Sequence, residues 1–371
     1  MHPKGQTVIR VMEEMAPPSL AVPDDRIGLQ LGSPDKEIRR VMTALDVTEE
    51  VAREAIARRA DLIVAHHAII YRPLRHLRTD LPAGRLYEHL IKHDIAVYVA
   101  HTNLDIAEGG INDMLARALG LEQVSVLEKT WSEPLFKFVV FVPPSHAEEV
   151  GRAMFEAGAG HIGNYSSCSF RLEGTGTFLP GEGTNPYIGE RGKLEEVREL
   201  RIETIAPQAA LGRVTKAMLR AHPYEEPAYD IYPLSLEGRS FGLGRVGRLP
   251  REMTLKELAE RVKTAFDVPA LRVVGPLDRK LRKAAVLGGS GGRYVQAALR
   301  AGAEVLITGD IDYHAALDAL ADGICLIDPG HNAEKIMKRG VAEELGRRLE
   351  DLGFQVEVFP SEVSTEPFRF L

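Results

Sequence analysis

The sequence predicts a divided α/β domain with parallel-rich sheets, interrupted by an inserted α+β domain of ferredoxin-like order. Three observations carry this prediction. Short apolar runs alternate with helical periods at both ends of the chain. Those runs are continuous rather than alternating, as in parallel strands covered on both faces. The middle reads β-α-β-β-α-β, the split βαβ order. The boundaries fall at residues 1–126 and 241–371 for the two halves of the divided domain and 127–240 for the insert. Three consecutive domains fit less well, because each flanking half alone supplies a small sheet and a thin core.

In the first half, RRVMTALDVT reads as a strand, TEEVAREAIARRA as a helix, DLIVAHH and IAVYVAHTNLD as strands, and INDMLARALG as a helix. The insert begins with the strand FKFVVFVP and the helix SHAEEVGRAMFEAG. A Gly- and Ser-rich loop-strand region follows, then the strand LRIETIAP, the helix LGRVTKAMLRAH and the strand AYDIYPL. The second half gives KAAVLGGSGG as a strand running into a Gly-rich turn, RYVQAALRAG as a helix, EVLITGD as a strand and HAALDALADG as a helix. ICLIDPGH is the next strand, and a long helix precedes FQVEVFP. Trp131 and the Phe136–Phe138 group near the entry to the insert read as core packing.

Composition narrows the function classes. With 371 residues, 44% hydrophobic and 27% charged, the chain can bury a large core. The net charge of −7 and the scattered Lys and Arg residues give no stripe for nucleic acid or an anionic membrane, so neither is an expected partner. The first thirty residues carry acids and prolines where a signal peptide needs an apolar core, and no apolar segment approaches membrane-spanning length; the expected location is the cytoplasm. Cys168 and Cys325 are too few for a disulfide framework and lack the spacing of a thiolate zinc site, so any metal would be held by nitrogen and oxygen.

Ligands of open parallel sheets bind beyond the carboxyl ends of the strands. Four such ends carry polar side chains: His66 and His67 after DLIVA, His101 and Asp105 after IAVYVA, Asp310 and His314 after EVLIT, and Asp328, His331 and Glu334 after ICLI. Neighbours on a regular strand point to opposite faces, and only where the strand ends and twists can His66 and His67 turn toward one site. As a pair they fit metal ligation and a capping or core role equally. In GHNAEK, a helix beginning near Gly330 would place His331 and Glu334 at i and i+3 on one face. Three imidazoles with two carboxylates suffice for two divalent ions if one carboxylate bridges, and that donor set suits zinc, iron, manganese or nickel rather than calcium or magnesium. The run LGGSGGRY lacks the lysine and Ser/Thr of a Walker A loop, and the dinucleotide glycine spacing fails at Tyr294. Close helix packing and anion binding remain open for it. His222, Glu225 and Glu226 in AHPYEEPAYD fit a rigid turn between Pro223 and Pro227 better than a metal site.

The stretches IVAHHAIIY, VAHTNLDIAEGGINDMLA, VLGGSGG, VLITGDIDYHAALDA and DPGHNAEK resemble, in order, the motifs of the NIF3-like family, also called GTP cyclohydrolase 1 type 2 homologs. HIGNYSSCSF, GTFLPGEGTNPYIG and HPYEEPAYDIYPL are similar to the PII/CutA-like insert of the family's longer bacterial members. The resemblance covers essentially the whole chain. It implies a dinuclear metal site with His66, His67, Asp105, His331 and Glu334 as ligands, two divalent transition-metal ions per chain and a toroidal homohexamer. With those five donors sufficient, His101 and His314 are expected in positioning or proton-transfer roles. Two departures stand out: Arg26 in Asp25-Arg26-Ile27-Gly28-Leu29, where the family usually has Asn, and Ala68 after the two histidines, where proline is common.

The resulting expectation is a metal-dependent hydrolase acting on a small substrate, with purine nucleotide ring opening suggested by the family's name. A regulatory or metal-handling protein, its insert binding an effector or partner, is the alternative.

Overall fold

The computed structural model describes residues 1–370, which divide into one unit of residues 1–131 with 241–370 and another of Ser132–Ser240. The border lies five residues beyond the one read from the sequence, because a single long strand carries the chain from one unit into the other.

In chain order the first half contributes α1 (Gly5–Met15), β1 (Gly28–Leu31), β2 (Arg40–Ala44), α2 (Glu49–Ala57), β3 (Leu62–Ala65), α3 (Pro82–Lys92), β4 (Ala96–Val99), α4 (Thr102–Ile106) and α5 (Ile111–Ala118). The long strand β5 (Glu122–Val142) leads to α6 (Ala147–Glu156), β6 (Ser169–Phe178), β7 (Glu195–Pro207), α7 (Leu211–Ala221) and a second long strand, β8 (Tyr229–Thr254). The second half holds α8 (Leu255–Ala265), β9 (Arg272–Val274), β10 (Lys280–Ser290), α9 (Val295–Arg300), β11 (Val305–Gly309), α10 (Tyr313–Asp322), β12 (Cys325–Asp328), α11 (Ile336–Asp351) and β13 (Glu357–Pro360).

Unit 1 contains two sheets. The first has the order β1-β4-β3-β2-β13, parallel from β4 to β13 with β1 as an antiparallel edge. The second runs β8-β10-β11-β12-β9; β10, β11 and β12 are parallel and both flanking strands antiparallel. The continuous apolar runs have the meaning expected of them. Val41, Leu62, Val64 and Tyr98 of the first sheet and Val286, Val305, Ile307 and Ile327 of the second join one central core with residues of α1, α5, α8 and α11. The alternate residues Met42, Ile63, Val97 and Val99 pack under α2 and α3. Ala285, Leu306 and Leu326 do the same under α9 and α10. Strands covered on both faces have no polar face to display.

Local chemistry sets several helix starts. Thr254 and Glu257 close a capping box on α8, and the Asp312 carboxylate accepts from the backbone N–H groups of His314 and Ala315 at the start of α10. Caps of this kind stabilise by about 1 kcal/mol each.

Unit 2 has the strand order β6-β7-β5-β8, antiparallel at β5–β7 and β6–β7, with α6 and α7 packed on the face that carries Phe138, Val140, Val142 and Ile202. With β5 first in sequence, this is the 4-1-3-2 arrangement that the β-α-β-β-α-β order predicts.

Candidate metal centre

Four histidines and two carboxylates meet where β3, β4 and β12 end. The chain leaves β3 through His66 and His67, whose backbone N–H groups still bond Ala44 and Leu45, yet the twist there brings the rings to 4.9 Å and 47° of one another. His101 precedes α4, which carries Asp105. After β12, Gly330 (φ +82°) turns the chain into a 3₁₀ helix over His331–Lys335 rather than directly into α11. In that tighter helix i and i+3 eclipse, so His331 and Glu334 stand one above the other. The shared face read from the sequence is present, through a different helix.

Within each of three groups, one donor atom per residue lies within 4.8 Å of the others: His66, Asp105 and Glu334; His67, His331 and Glu334; His66, His67 and His101. Glu334 Oε2 stands 3.6 Å from His66 Nε2, 3.3 Å from His67 Nε2 and 3.3 Å from His331 Nε2, and His66 Nε2 is 3.7 Å from Asp105 Oδ1. Two donors each about 2.1 Å from a shared ion at a tetrahedral angle lie roughly 3.4 Å apart, so these separations fit ligands of a common ion. His66 Nε2, Asp105 Oδ1 and Glu334 Oε2 are buried and make no hydrogen bond among the described residues. Orphaned buried polar atoms are costly, and three of them aimed at one point call for a cation.

The outer ring nitrogens explain why the inner ones converge. His67 Nδ1 faces Asp46 Oδ1 at 2.7 Å, His101 Nδ1 faces Asp25 Oδ1 at 2.8 Å, His331 Nδ1 faces Asp310 Oδ2 at 2.6 Å, and His66 Nδ1 donates to the Ala100 carbonyl at 2.9 Å. Each such contact fixes a ring and leaves Nε2 directed inward, the usual arrangement behind metal-bound imidazoles. Asp46 was not among the residues read from the sequence, and Asp25 was named only within the N-terminal motif. Asp46 follows β2 and could have been found by extending the strand-end rule to that strand.

Protonation follows the same geometry. Burial pushes His66 down to about 4, so its imidazole is neutral. Burial also opposes charge on His67, but Asp46 and Glu334 outweigh it and raise the pKa to about 10. Glu334 and Asp310 raise His331 to about 9 against burial. Burial and the neighbouring Glu334 push the Asp105 carboxyl well up, whereas His66, His331 and His67 hold Glu334 well below the usual carboxylate range despite its burial. Metal binding at such a cluster requires neutral imidazoles and ionised carboxylates, so it would compete with protons for these groups.

Gly288 and Gly289 form one wall. A Cβ at Gly289 (φ +62°) would stand 2.7 Å from Glu334 Oε1 and 3.4 Å from His331 Nε2. The Gly288 N–H donates to Asn112 Oδ1, and Asn112 Nδ2 donates to the Asp105 carbonyl. Of the two readings left open for LGGSGGRY, these contacts match close packing.

Two other strand-end residues fall elsewhere. His314 is exposed in the first turn of α10 against Tyr313 and belongs to none of the donor groups. The Asp312 carboxylate accepts from its backbone N–H and so starts α10 there. Asp328 is buried, accepts from the backbone N–H groups of Ile311 and Gly330 and pairs with Arg272, so it braces the loops behind the site. His101 stands closer than its expected role required, as a member of a donor group.

The profile of the Duf34/NIF3 family (NGG1p interacting factor 3) matches residues 3–367. The chain belongs to this family. A Halalkalibacterium halodurans protein named GTP cyclohydrolase 1 type 2 homolog is 56% identical over 367 residues, 99% of each chain. The Bacillus subtilis protein of the same name is 52% identical, over 99% of this chain and 98% of its own. A crystal structure of a Bacillus cereus protein related to NIF3 superposes with a TM-score of 0.94 at 51% identity, covering all of both chains. The family's fold is thus the fold described above, and no helix among the described residues is long and apolar enough to cross a membrane.

Proposed function

We propose that the centre holds two divalent transition-metal ions, zinc, iron, manganese or nickel, and that the protein is a metal-dependent hydrolase of a small substrate. The position of Glu334 carries this reading: a single buried carboxylate oxygen faces His66, His67 and His331 at 3.3–3.6 Å, as a bridging ligand would. His66 and Asp105 would complete one side, His67 and His331 the other. Bound there, an ion pair would lower the pKa of a water toward neutrality and polarise the bond attacked. His101, its Nδ1 held by Asp25, presents Nε2 to take or return a proton during attack.

The name of the Halalkalibacterium and Bacillus relatives suggests a purine nucleotide as the substrate class. The family resemblance supports a toroidal hexamer, and the acids and prolines of the first thirty residues support a cytoplasmic location. The strand order of unit 2, with both helices on one face, supports a PII/CutA-like module.

Metal-reconstituted protein screened against purine nucleotides for loss of purine absorbance tests the reading, with light scattering reporting the oligomer. Ring opening that requires metal is the expected result. Stoichiometric metal without turnover of any nucleotide would favour the regulatory alternative.

A further inference from the structure

Unit 2 contains a cavity of about 590 Å³ on the sheet face opposite α6 and α7, roofed by the segments around residues 179–188 and 224–228. It lies wholly within unit 2, so its reading stands apart from that of the metal centre.

Its construction is specific. Leu172, Gly174, Gly176 and Phe178 alternate along β6 on this face, beside Glu199 and Arg201 of β7. Glu199 is only 8% exposed although charged. A Cβ at Gly176 would lie 2.3 Å from its Oε2, so the glycine makes room for the carboxylate. A Cβ at Gly174 would meet nothing within 4 Å, and the cavity occupies that space. The Tyr224 hydroxyl is buried beside Glu199, and burial together with that carboxylate raises its pKa, so it remains a donor. An acceptor and a donor are thus both buried at the wall of one cavity.

The lining selects a ligand class. Phe141, Phe178, Tyr187 and Tyr224 offer aromatic surface suited to a planar ring. Glu199, Glu225 and Glu226 outnumber the one cation directed at the cavity, Arg201, whose guanidinium lies 5.7 Å from the Phe141 ring centroid. A phosphate would meet repulsion there, whereas ring amino groups would find acceptors. The volume falls within the usual range of small-molecule sites.

We infer that this cavity binds an amino-bearing heteroaromatic of nucleobase or nucleoside size, its amino edge on Glu199 and its ring between the aromatic side chains.

Calorimetric titration of the full-length, metal-loaded protein with guanosine, adenosine, cytidine, uridine and AMP tests it. At least one amino-bearing nucleoside should bind about tenfold or more tightly than both uridine, which lacks the amino group, and AMP, which adds phosphate. Gly174→Leu, which fills the cavity, should abolish that binding, and Glu199→Gln should weaken it by about tenfold, both with metal content unchanged. Absence of binding by every probe, preference for AMP or uridine, or binding that survives Gly174→Leu would overturn the inference. Survival would place the ligand elsewhere, the metal centre included.

Discussion

Two histidine clusters of similar composition occupy the two units. In unit 1, GHNAEK sets His331 beside Glu334; in unit 2, AHPYEEP sets His222 beside Glu225 and Glu226. Their ring nitrogens separate them. His331 gives Nδ1 to Asp310 and keeps Nε2 for a group of donors, while His222 donates Nε2–H to the Phe141 carbonyl at 2.9 Å and accepts the Tyr224 N–H on Nδ1 at 3.1 Å. Both nitrogens of His222 are spent on the backbone, so it pins a turn and can ligate nothing. A histidine becomes a candidate ligand when a neighbour takes one nitrogen and the fold leaves the other facing further donors.

The largest expected break in this contrast is Glu334→Gln. Glutamine keeps the size but removes the negative charge that three imidazoles face, so at least one ion should be lost on desalting, while Glu343→Gln, exposed on α11, should retain both. Equal metal content in the two variants would remove Glu334 from the site. Next comes Gly289→Ala, which should lower metal affinity by pressing on Glu334 and His331 and cost roughly 1–2 kcal/mol of stability from its positive φ. Titration with a competing chelator and urea unfolding measure the two effects.

Asp46→Asn should act more gently. It leaves every donor in place but loosens the hold on His67, and loss of such a partner typically costs about 10–100-fold in affinity. Replacing residues 132–240 by a short linker should have no effect on metal binding. The Trp131 and Phe241 rings lie 5.3 Å apart, so the cut ends can be joined, and unit 1 has its own core. An insoluble product, or one without metal, would show the units to be interdependent.

A small effect on stability concerns His222. Burial lowers its pKa in the fold, whereas an unfolded chain's histidine titrates near about 6.5. Its contribution to stability is complete above that pH and declines as pH falls below it, because the unfolded state then binds the extra proton. Urea midpoints at neutral and mildly acidic pH should differ less in His222→Gln than in the unaltered protein.

Most of the fold could be read from the sequence because parallel strands buried on both faces leave continuous apolar runs. Helices α1, α3 and α8 and strand β9 were not read, and two further strands depend on distant partners. GLQL is too short to be distinctive, and it becomes β1 only through its antiparallel pairing with β4, nearly seventy residues on. FQVEVFP looks like the end of the second half, yet β13 pairs with β2 of the first. At the site, the inward donors were legible because strand ends and an i, i+3 spacing are local features. Asp25 and Asp46 reach their histidines across 76 and 21 residues, and although the strand end before Asp46 is a local feature, neither pairing is. His101 and His314 looked alike in sequence. Only the fold shows that His101 joins a donor group and His314 does not.

Anomalous scattering from crystals grown with zinc tests the central claim most directly. Two peaks per chain should flank Glu334, one among His66, Asp105 and Glu334 and the other among His67, His331 and Glu334, with none at His222. No peak beside Glu334, or a peak only at His222, would contradict the account.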